Sequence, residues 1–156
     1  MKNWGIYVLV AIGAIAYHLY SSADRDSSGA IVGAGTIDVF DLKVGDCFDD
    51  ADTDSDEVST LPAVPCGEPH DNEAYAAFDV SLDSYPGDTA MWELANEECY
   101  NRFETFVGRD YESSRYDFFT LHPTSQSWAQ NDREIVCAIY DMDLNKLTGS
   151  VRGSGK

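Results

Sequence analysis

Apolar and polar residues alternate with the two-residue period of a β-strand in several stretches of the chain. Residues 37–48 contain one or two short strands with a turn at Gly45-Asp46, and residues 73–82 contain a core strand. Residues 116–121 are rich in strand-forming side chains. Residues 133–140 form the most apolar run, with Ile135, Cys137 and Ile139 on one face. These stretches predict a sheet in which 133–140 is the most deeply buried strand.

One stretch, residues 88–107, follows the helical period instead. Its apolar stripe consists of Trp92, Ala95, Cys99, Phe103 and Phe106. Asp88 or Thr89 is a suitable N-cap, and Gly108 is a suitable stop. Together with the strands, this helix predicts an α+β domain in which an antiparallel sheet packs on one main helix at about 88–107.

The N-terminal residues 4–20 contain no charged side chain and would span about 25 Å as a helix. This length is at the short end for crossing a bilayer. Lys2 precedes the run and acidic residues follow it, so the positive-inside rule puts the N-terminus in the cytoplasm. Residues 1–22 are therefore predicted to be a transmembrane anchor, with a cleaved signal peptide ending near Ser21-Ser22-Ala23 as the alternative.

The remaining chain divides by composition into three parts. Residues 23–38 are rich in Ser and Gly and predict a flexible tether. Residues 39–150 carry the strand and helix patterns of the folded, extracytoplasmic domain. Residues 151–156 predict a frayed tail. The predicted protein is thus a single-pass cell-membrane protein with its C-terminal domain outside.

Strong acidity limits the partners of this chain. The formal net charge is −18, from 28 acidic and 10 basic side chains. Such a surface repels phosphate backbones, which argues against nucleic-acid binding. The expected partners are the membrane itself and other envelope or integral membrane proteins.

Four cysteines form an even set without any C-x-x-C pair, and four cysteines allow three disulfide pairings. An exported domain permits disulfides. Cys99 lies on the apolar helix stripe and Cys137 on the core strand, so a bond between them is favoured. Cys47 and Cys66 would then close an acidic loop of about 20 residues, contributing about 3 kcal/mol in the chain-entropy model.

The acidic loop resembles a calcium-binding loop in part. Asp50, Asp52 and Asp54 fit the first three ligand positions of such a loop. Ser55 replaces the glycine of the sharp turn, and Leu61 replaces the bidentate glutamate. The segment is therefore predicted to be a solvated loop, and no metal or other cofactor is predicted.

Five polar or aromatic residues are candidates for a recognition surface. Glu68, His70 and Asp71 follow shortly after Cys66, and Trp128 and Arg133 lie further along the chain. His70 is alternatively a polar residue that fixes the turn after Cys66. Arg133 has an alternative role as an internal ion pair or a stack on Trp128.

No catalytic residue is predicted. A nucleophilic Cys66 activated by His70 would need a free thiolate, which a disulfide removes. A single C-x3-H pair is also incomplete as a zinc site. Ser127 lacks the G-x-S-x-G setting of a hydrolase nucleophile. The chain is therefore predicted not to be an enzyme.

The order of these motifs resembles the septum formation domain family of actinobacterial envelope proteins, over residues 44–150. The matching motifs are Val44-Gly45-Asp46-Cys47-Phe48, Val64-Pro65-Cys66, Glu68-Pro69-His70-Asp71 with Glu73 and Tyr75, Tyr85-Pro86-Gly87, Cys99 with Phe103, Val107-Gly108 with Tyr111, Pro123-Thr124, Ser127-Trp128, Asp132-Arg133 with Cys137, and Leu147-Thr148-Gly149-Ser150. The resemblance implies a membrane-attached extracytoplasmic module linked to division septa, without an assigned reaction or catalytic residue.

These observations predict a non-enzymatic, membrane-tethered interaction module of the cell envelope, linked to septum formation. One alternative is an accessory structural subunit of a larger membrane protein complex. Alternatives of another class are a calcium-binding module and an uncharacterised envelope enzyme.

Overall fold

A computed structural model describes residues 22–51 and 58–156. Within this part of the chain, one antiparallel sheet has six strands: β3 Gly35–Asp38, β4 Cys47–Phe48, β5 Thr60–Val64, β6 Asn72–Asp79, β7 Tyr116–Leu121 and β8 Glu134–Asp141. Their spatial order is β3-β5-β4-β6-β8-β7. β1 Asp24–Arg25 and β2 Ile31–Gly33 form a separate two-stranded ribbon. The antiparallel sheet that was predicted is confirmed.

The main helix α1, Asp88–Val107, packs on one face of the sheet and has the predicted bounds. Its buried stripe differs from the prediction in the first turn. Met91 is fully buried, whereas Trp92 is 56% exposed. Met91, Ala95, Cys99 and Phe103 are spaced by four residues, which keeps them on one side of the helix. Trp92 lies one residue, about 100°, away from that line.

The other face of the sheet has its own core, around Phe48, Ala74 and Val136. Ile31 and Ile37, which come from the segment predicted to be a tether, are buried in this core. Arg25 in the same segment donates to both carboxylate oxygens of Asp46, at 2.8 and 2.6 Å. The structure thus corrects the predicted tether: Ser27, Ser28 and Gly29 form the turn between β1 and β2, the other two glycines belong to β2 and β3, and the two isoleucines fill the core.

The C-terminal residues are also ordered rather than frayed. Leu147 and Val151 are buried in the core beneath α1. The Gly153 N–H donates to Phe106 O, and the Gly155 N–H donates to Val107 O, at 2.7 and 2.9 Å. These bonds supply donors to helix-end carbonyls that lack a partner within the helix, which explains why the predicted tail is fixed.

The cysteines form the bonds Cys47–Cys66 and Cys99–Cys137, the pairing favoured from the sequence. The second bond joins α1 to β8 through the core. The predicted membrane anchor, residues 1–22, lies outside the described residues except for Ser22. In the described ranges, 22–51 and 58–156, no helix has the length and apolar character needed to cross a membrane.

Candidate functional site

His70, the central residue of the predicted recognition surface, lies in the interior. Its exposed fraction is 0%, and its backbone N–H and C=O both pair with Leu147, at 3.0 and 2.7 Å. The imidazole Nδ1 lies 2.8 Å from the carbonyl oxygen of Glu68, so Nδ1 carries the proton and donates it. Nε2 has no hydrogen-bond partner among the described residues. The prediction of His70 as a surface residue is corrected: it fixes the turn after Cys66.

Glu73, three residues further on, is a fully buried carboxylate that holds the C-terminal segment. Its Oε1 accepts from Ser150 Oγ at 2.5 Å, and its Oε2 accepts from the Val151 N–H at 2.7 Å. The Gly149 N–H donates to the Cys66 carbonyl at 2.6 Å. We term this pairing of residues 66–73 with residues 147–151 the clasp. Two motifs far apart in the sequence are thus each other's structural partners.

Glu68 and Asp71 remain at the surface beside the clasp. Glu68 is exposed, and Asp71 is half-buried. Lys146 Nζ lies 2.8 Å from Asp49 Oδ1 and 2.9 Å from Asp71 Oδ2. Burial raises the pKa of Asp71, but hydrogen bonds from Lys146 and from the Asp50 N–H outweigh it and hold the pKa below its usual value. Asp71 is therefore an ionised partner of Lys146.

Trp128 and Arg133 lie at the opposite end of the sheet from the clasp. The Arg133 guanidinium carbon lies 3.6 Å from the centroid of the Trp128 ring, and Nη1 donates to Trp128 O at 2.9 Å. The stack on Trp128 is one of the alternative roles predicted for Arg133. In the β6–β8 register, Asn72 pairs with Tyr140 and Asp79 with Glu134, a separation of seven residues or about 23 Å. The five predicted recognition residues therefore do not form one surface.

Of the three candidate calcium ligands, only Asp50 is among the described residues. Its Oδ1 accepts from Asn72 Nδ2 at 2.8 Å, and its N–H donates to Asp71 Oδ2. Asp52 and Asp54 lie outside the described residues. In residues 22–51 and 58–156, no group of three or more His, Cys, Asp or Glu side chains has an arrangement that could hold a metal ion.

A groove of about 520 Å³, which the sequence did not indicate, opens on the second face of the sheet. We term it the β7 groove, because it lies between the end of β7 and the single helical turn Val39–Asp41. Leu121 and Val136 provide apolar lining, and Phe40, 57% exposed, is also part of the lining. Gln126 and Ser127 of the short helix α2, Ser125–Trp128, add polar lining. Its two sides are about 80 residues apart in sequence, so only the fold brings them together.

The ionisable groups lining the β7 groove are His122, Asp132 and Glu134. Asp132 Oδ2 accepts from Ser127 Oγ at 2.7 Å, and Asp132 Oδ1 accepts from the Glu134 N–H at 3.1 Å. Burial raises the pKa of Glu134, and the neighbouring charges of Asp79 and Asp132 raise it further. Arg133 stacks on Trp128 and is not among the lining residues. The lining of the β7 groove thus combines acidic side chains with apolar ones.

The sequence model of the septum formation family matches residues 44–155. The chain belongs to this family. It is also similar to a protein named as a candidate lipoprotein, LppN, from Mycobacterium tuberculosis, and to the protein of the same name from Mycobacterium bovis. Each is 27% identical over 114 residues, which cover 71% of this chain and 62% of the relative. No solved structure matches the chain.

Several motifs that carry the family resemblance build the clasp and its surroundings. Asp46 binds Arg25, the Cys66 carbonyl accepts from Gly149, and Glu73 binds Ser150. These septum formation motifs therefore have structural roles in the described domain, and the β7 groove is the more open candidate for binding.

Proposed function

We propose that this member of the septum formation family is a non-enzymatic, membrane-tethered extracytoplasmic module that binds other proteins of the cell envelope. The observation that carries the proposal is the contrast between the clasp and the β7 groove. His70 and Glu73 are fully buried in structural contacts. The β7 groove presents apolar side chains, including an exposed Phe40, beside the acidic side chains of Asp132 and Glu134. Exposed apolar surface rimmed by polar groups is typical of protein-binding sites.

Placement outside the cytoplasm is supported by the two disulfides, which persist in oxidising compartments. The name of the LppN relatives, as lipoproteins, is consistent with membrane attachment. The uncharged, apolar residues 4–20, with Lys2 before them and acidic residues after them, support a single membrane span with the N-terminus in the cytoplasm.

Photo-crosslinking in intact cells tests this function. A photoreactive residue replaces Gln126 in the groove or, in separate strains, Glu97 on the exposed side of α1, and adducts are recovered from the membrane fraction. We expect a discrete adduct with an envelope protein from at least one position. Recovery of only the uncrosslinked chain from both positions, with the protein correctly exported, would contradict the proposal.

An accessory subunit docked through α1 is the second candidate, and the outer face of that helix favours it. Trp92 is 56% exposed and Tyr100 is 43% exposed, two helical turns apart. Exposed aromatic side chains of this kind are common anchors of interfaces. A permanent subunit would copurify with its complex at a fixed stoichiometry, and Trp92→Ser would release it. Substoichiometric recovery that is unaffected by Trp92→Ser would favour the interaction module.

A further inference from the structure

The strand β7 ends the six-stranded sheet and leaves one backbone edge without a neighbouring strand in the described part of the chain. The direction of its backbone groups follows from two bonds. The Met142 N–H donates to Arg115 O at 3.1 Å, so odd-numbered residues of β7 face β8. The Phe118 N–H donates to Asp117 Oδ1 at 2.8 Å, consistent with even-numbered residues facing outward.

Two of the outward N–H groups are already occupied by side chains. Ser114 Oγ accepts from the Tyr116 N–H at 3.1 Å, and Asp117 accepts from the Phe118 N–H. Such bonds block strand addition along the first part of the edge. The next outward residue is Thr120, whose backbone N–H has no hydrogen-bond partner among the described residues. Within this part of the chain, the outward N–H groups of β7 are therefore open only beside the β7 groove.

The groove beside Thr120 combines the features that an extended peptide needs. Leu121, which is half-buried, offers apolar contact beside the open edge, and the exposed ring of Phe40 also lines the groove. Asp132 and Glu134 supply negative charge, and no described lysine or arginine lines the groove. The raised pKa of Glu134 reflects burial together with repulsion from Asp79 and Asp132. A cation placed beside Glu134 would relieve that repulsion.

We infer that the β7 groove binds an extended segment of a partner protein that pairs with the backbone of Thr120. In this arrangement an apolar side chain of the segment packs on Leu121 and Phe40, and a lysine or arginine lies beside Glu134. Backbone pairing supplies affinity and the alternate side chains supply specificity, as in other strand-addition complexes. The inference rests on the proposed interaction function and names its site and partner chemistry.

The charge of the chain favours a basic partner over a second copy. At a net charge of −18, two copies repel one another, whereas a basic segment is attracted. Charge complementarity of this kind raises association rates and excludes wrong partners. Self-association is therefore an outcome that would count against the inference.

A phage-displayed library of random linear peptides, selected on the full chain in lipid nanodiscs, tests the inference. We expect enriched peptides with a lysine or arginine between apolar residues. Their binding should weaken about tenfold in the double variant Asp132→Asn/Glu134→Gln, which removes the charge that attracts the cation. Thr120→Pro should weaken it similarly, since proline removes the edge N–H and is tolerated at strand edges.

The matched control is Glu68→Gln/Asp143→Asn, which removes two exposed charges at the clasp end of the sheet and should leave peptide binding unchanged. If Thr120→Pro lowers the melting temperature of the protein, its weaker peptide binding could reflect unfolding. The inference is then tested by the double variant Asp132→Asn/Glu134→Gln alone. Enriched peptides that bind the groove variants as tightly as the original protein would overturn the inference, as would no enrichment over empty nanodiscs. Sedimentation tests whether the protein self-associates. If it does, and if the groove variants abolish the self-association, the groove binds a second copy of the chain and the inference is overturned.

The outcomes separate this inference from the proposed function. If cells yield a crosslinked partner from α1 while groove variants have no effect, the interaction function stands and the groove assignment fails. If neither position yields a partner, the interaction function itself fails.

Discussion

Replacing Glu73 should lower the free energy of unfolding of the domain. The loss should be larger for a substitute that retains fewer of the hydrogen bonds of Glu73 in the clasp. The carboxylate is fully buried and accepts two hydrogen bonds, from Ser150 Oγ and from the Val151 N–H. Hydrogen bonds to a charged group contribute about 1.5–3 kcal/mol each. Glu73→Gln keeps the shape and one acceptor oxygen but loses the charge, so we expect a cost of about 1–2 kcal/mol.

Glu73→Ala removes both acceptors and leaves a cavity, so the expected cost is about 3–5 kcal/mol. Ser150→Ala, combined with Glu73→Gln in a double-mutant cycle, should show a coupling free energy of about 1 kcal/mol. Guanidinium denaturation followed by far-UV circular dichroism, with disulfides intact, measures each value. Hydrogen exchange at the Val151 amide should quicken in both Glu73 variants, because its acceptor is weakened or lost.

Glu97→Gln, on the exposed side of α1, is the control and should change the free energy of unfolding by less than about 0.5 kcal/mol. Two results would refute the reasoning. One is a Glu73→Ala variant as stable as this control. The other is a cycle without measurable coupling between Glu73 and Ser150, which would mean that the clasp contributes nothing to holding the C-terminal segment.

Three further predictions concern single side chains. The His70→Asn variant keeps a donor for the Glu68 carbonyl, whereas His70→Ala loses this hydrogen bond and leaves a cavity. The melting temperature of His70→Asn should therefore be higher than that of His70→Ala. Equal melting temperatures would contradict the assignment of the proton to Nδ1. Burial raises the pKa of Asp141, but hydrogen bonds from the Asp143 N–H and Arg115 lower it overall. Its contribution to stability is therefore present above about pH 4, the usual pKa of an aspartate, and is lost as pH falls through the lower folded value. Asp141→Asn should be less stable than the original protein at pH 7, and the gap in denaturation midpoint should close on acidification; a gap independent of pH would argue against this role. Arg133→Lys retains the charge but not the planar stack on Trp128, and calorimetry should show a loss of about 1 kcal/mol; an unchanged unfolding free energy would contradict a stabilising stack.

The clasp changes how the family resemblance is understood. The sequence predicts that the polar motif after Cys66 is part of a recognition surface. The structure buries His70 and Glu73 against residues 147–151 instead. A buried carboxylate needs specific partners, and Ser150 and Val151 provide them. In this chain the spacing of these motifs therefore serves the fold, and a search for binding sites is better directed to the β7 groove.

The sequence by itself determined the elements whose signals are local. The period of the apolar stripe and the glycine at its end determined the helix Asp88–Val107, and a short continuous apolar run determined the strand Glu134–Asp141 to within one residue. The favoured disulfides also followed from these patterns, since Cys99 and Cys137 each lie on a face that must be buried. Such signals depend on side chains a few residues apart, which the sequence displays directly.

Only the tertiary structure decided which polar segments, and which segments with a weak secondary-structure signal, are ordered. Residues 23–38 and 151–156 have the composition of a flexible chain, yet Ile31, Ile37 and Val151 are buried in the hydrophobic cores. The burial of Glu73 depends on hydrogen bonding to Ser150, which is 77 residues away in the sequence. The β7 groove depends on the fold, which brings Phe40 and Leu121 to the same groove. Burial and hydrogen bonding at these positions are properties of long-range contacts, and no local pattern in the sequence encodes them.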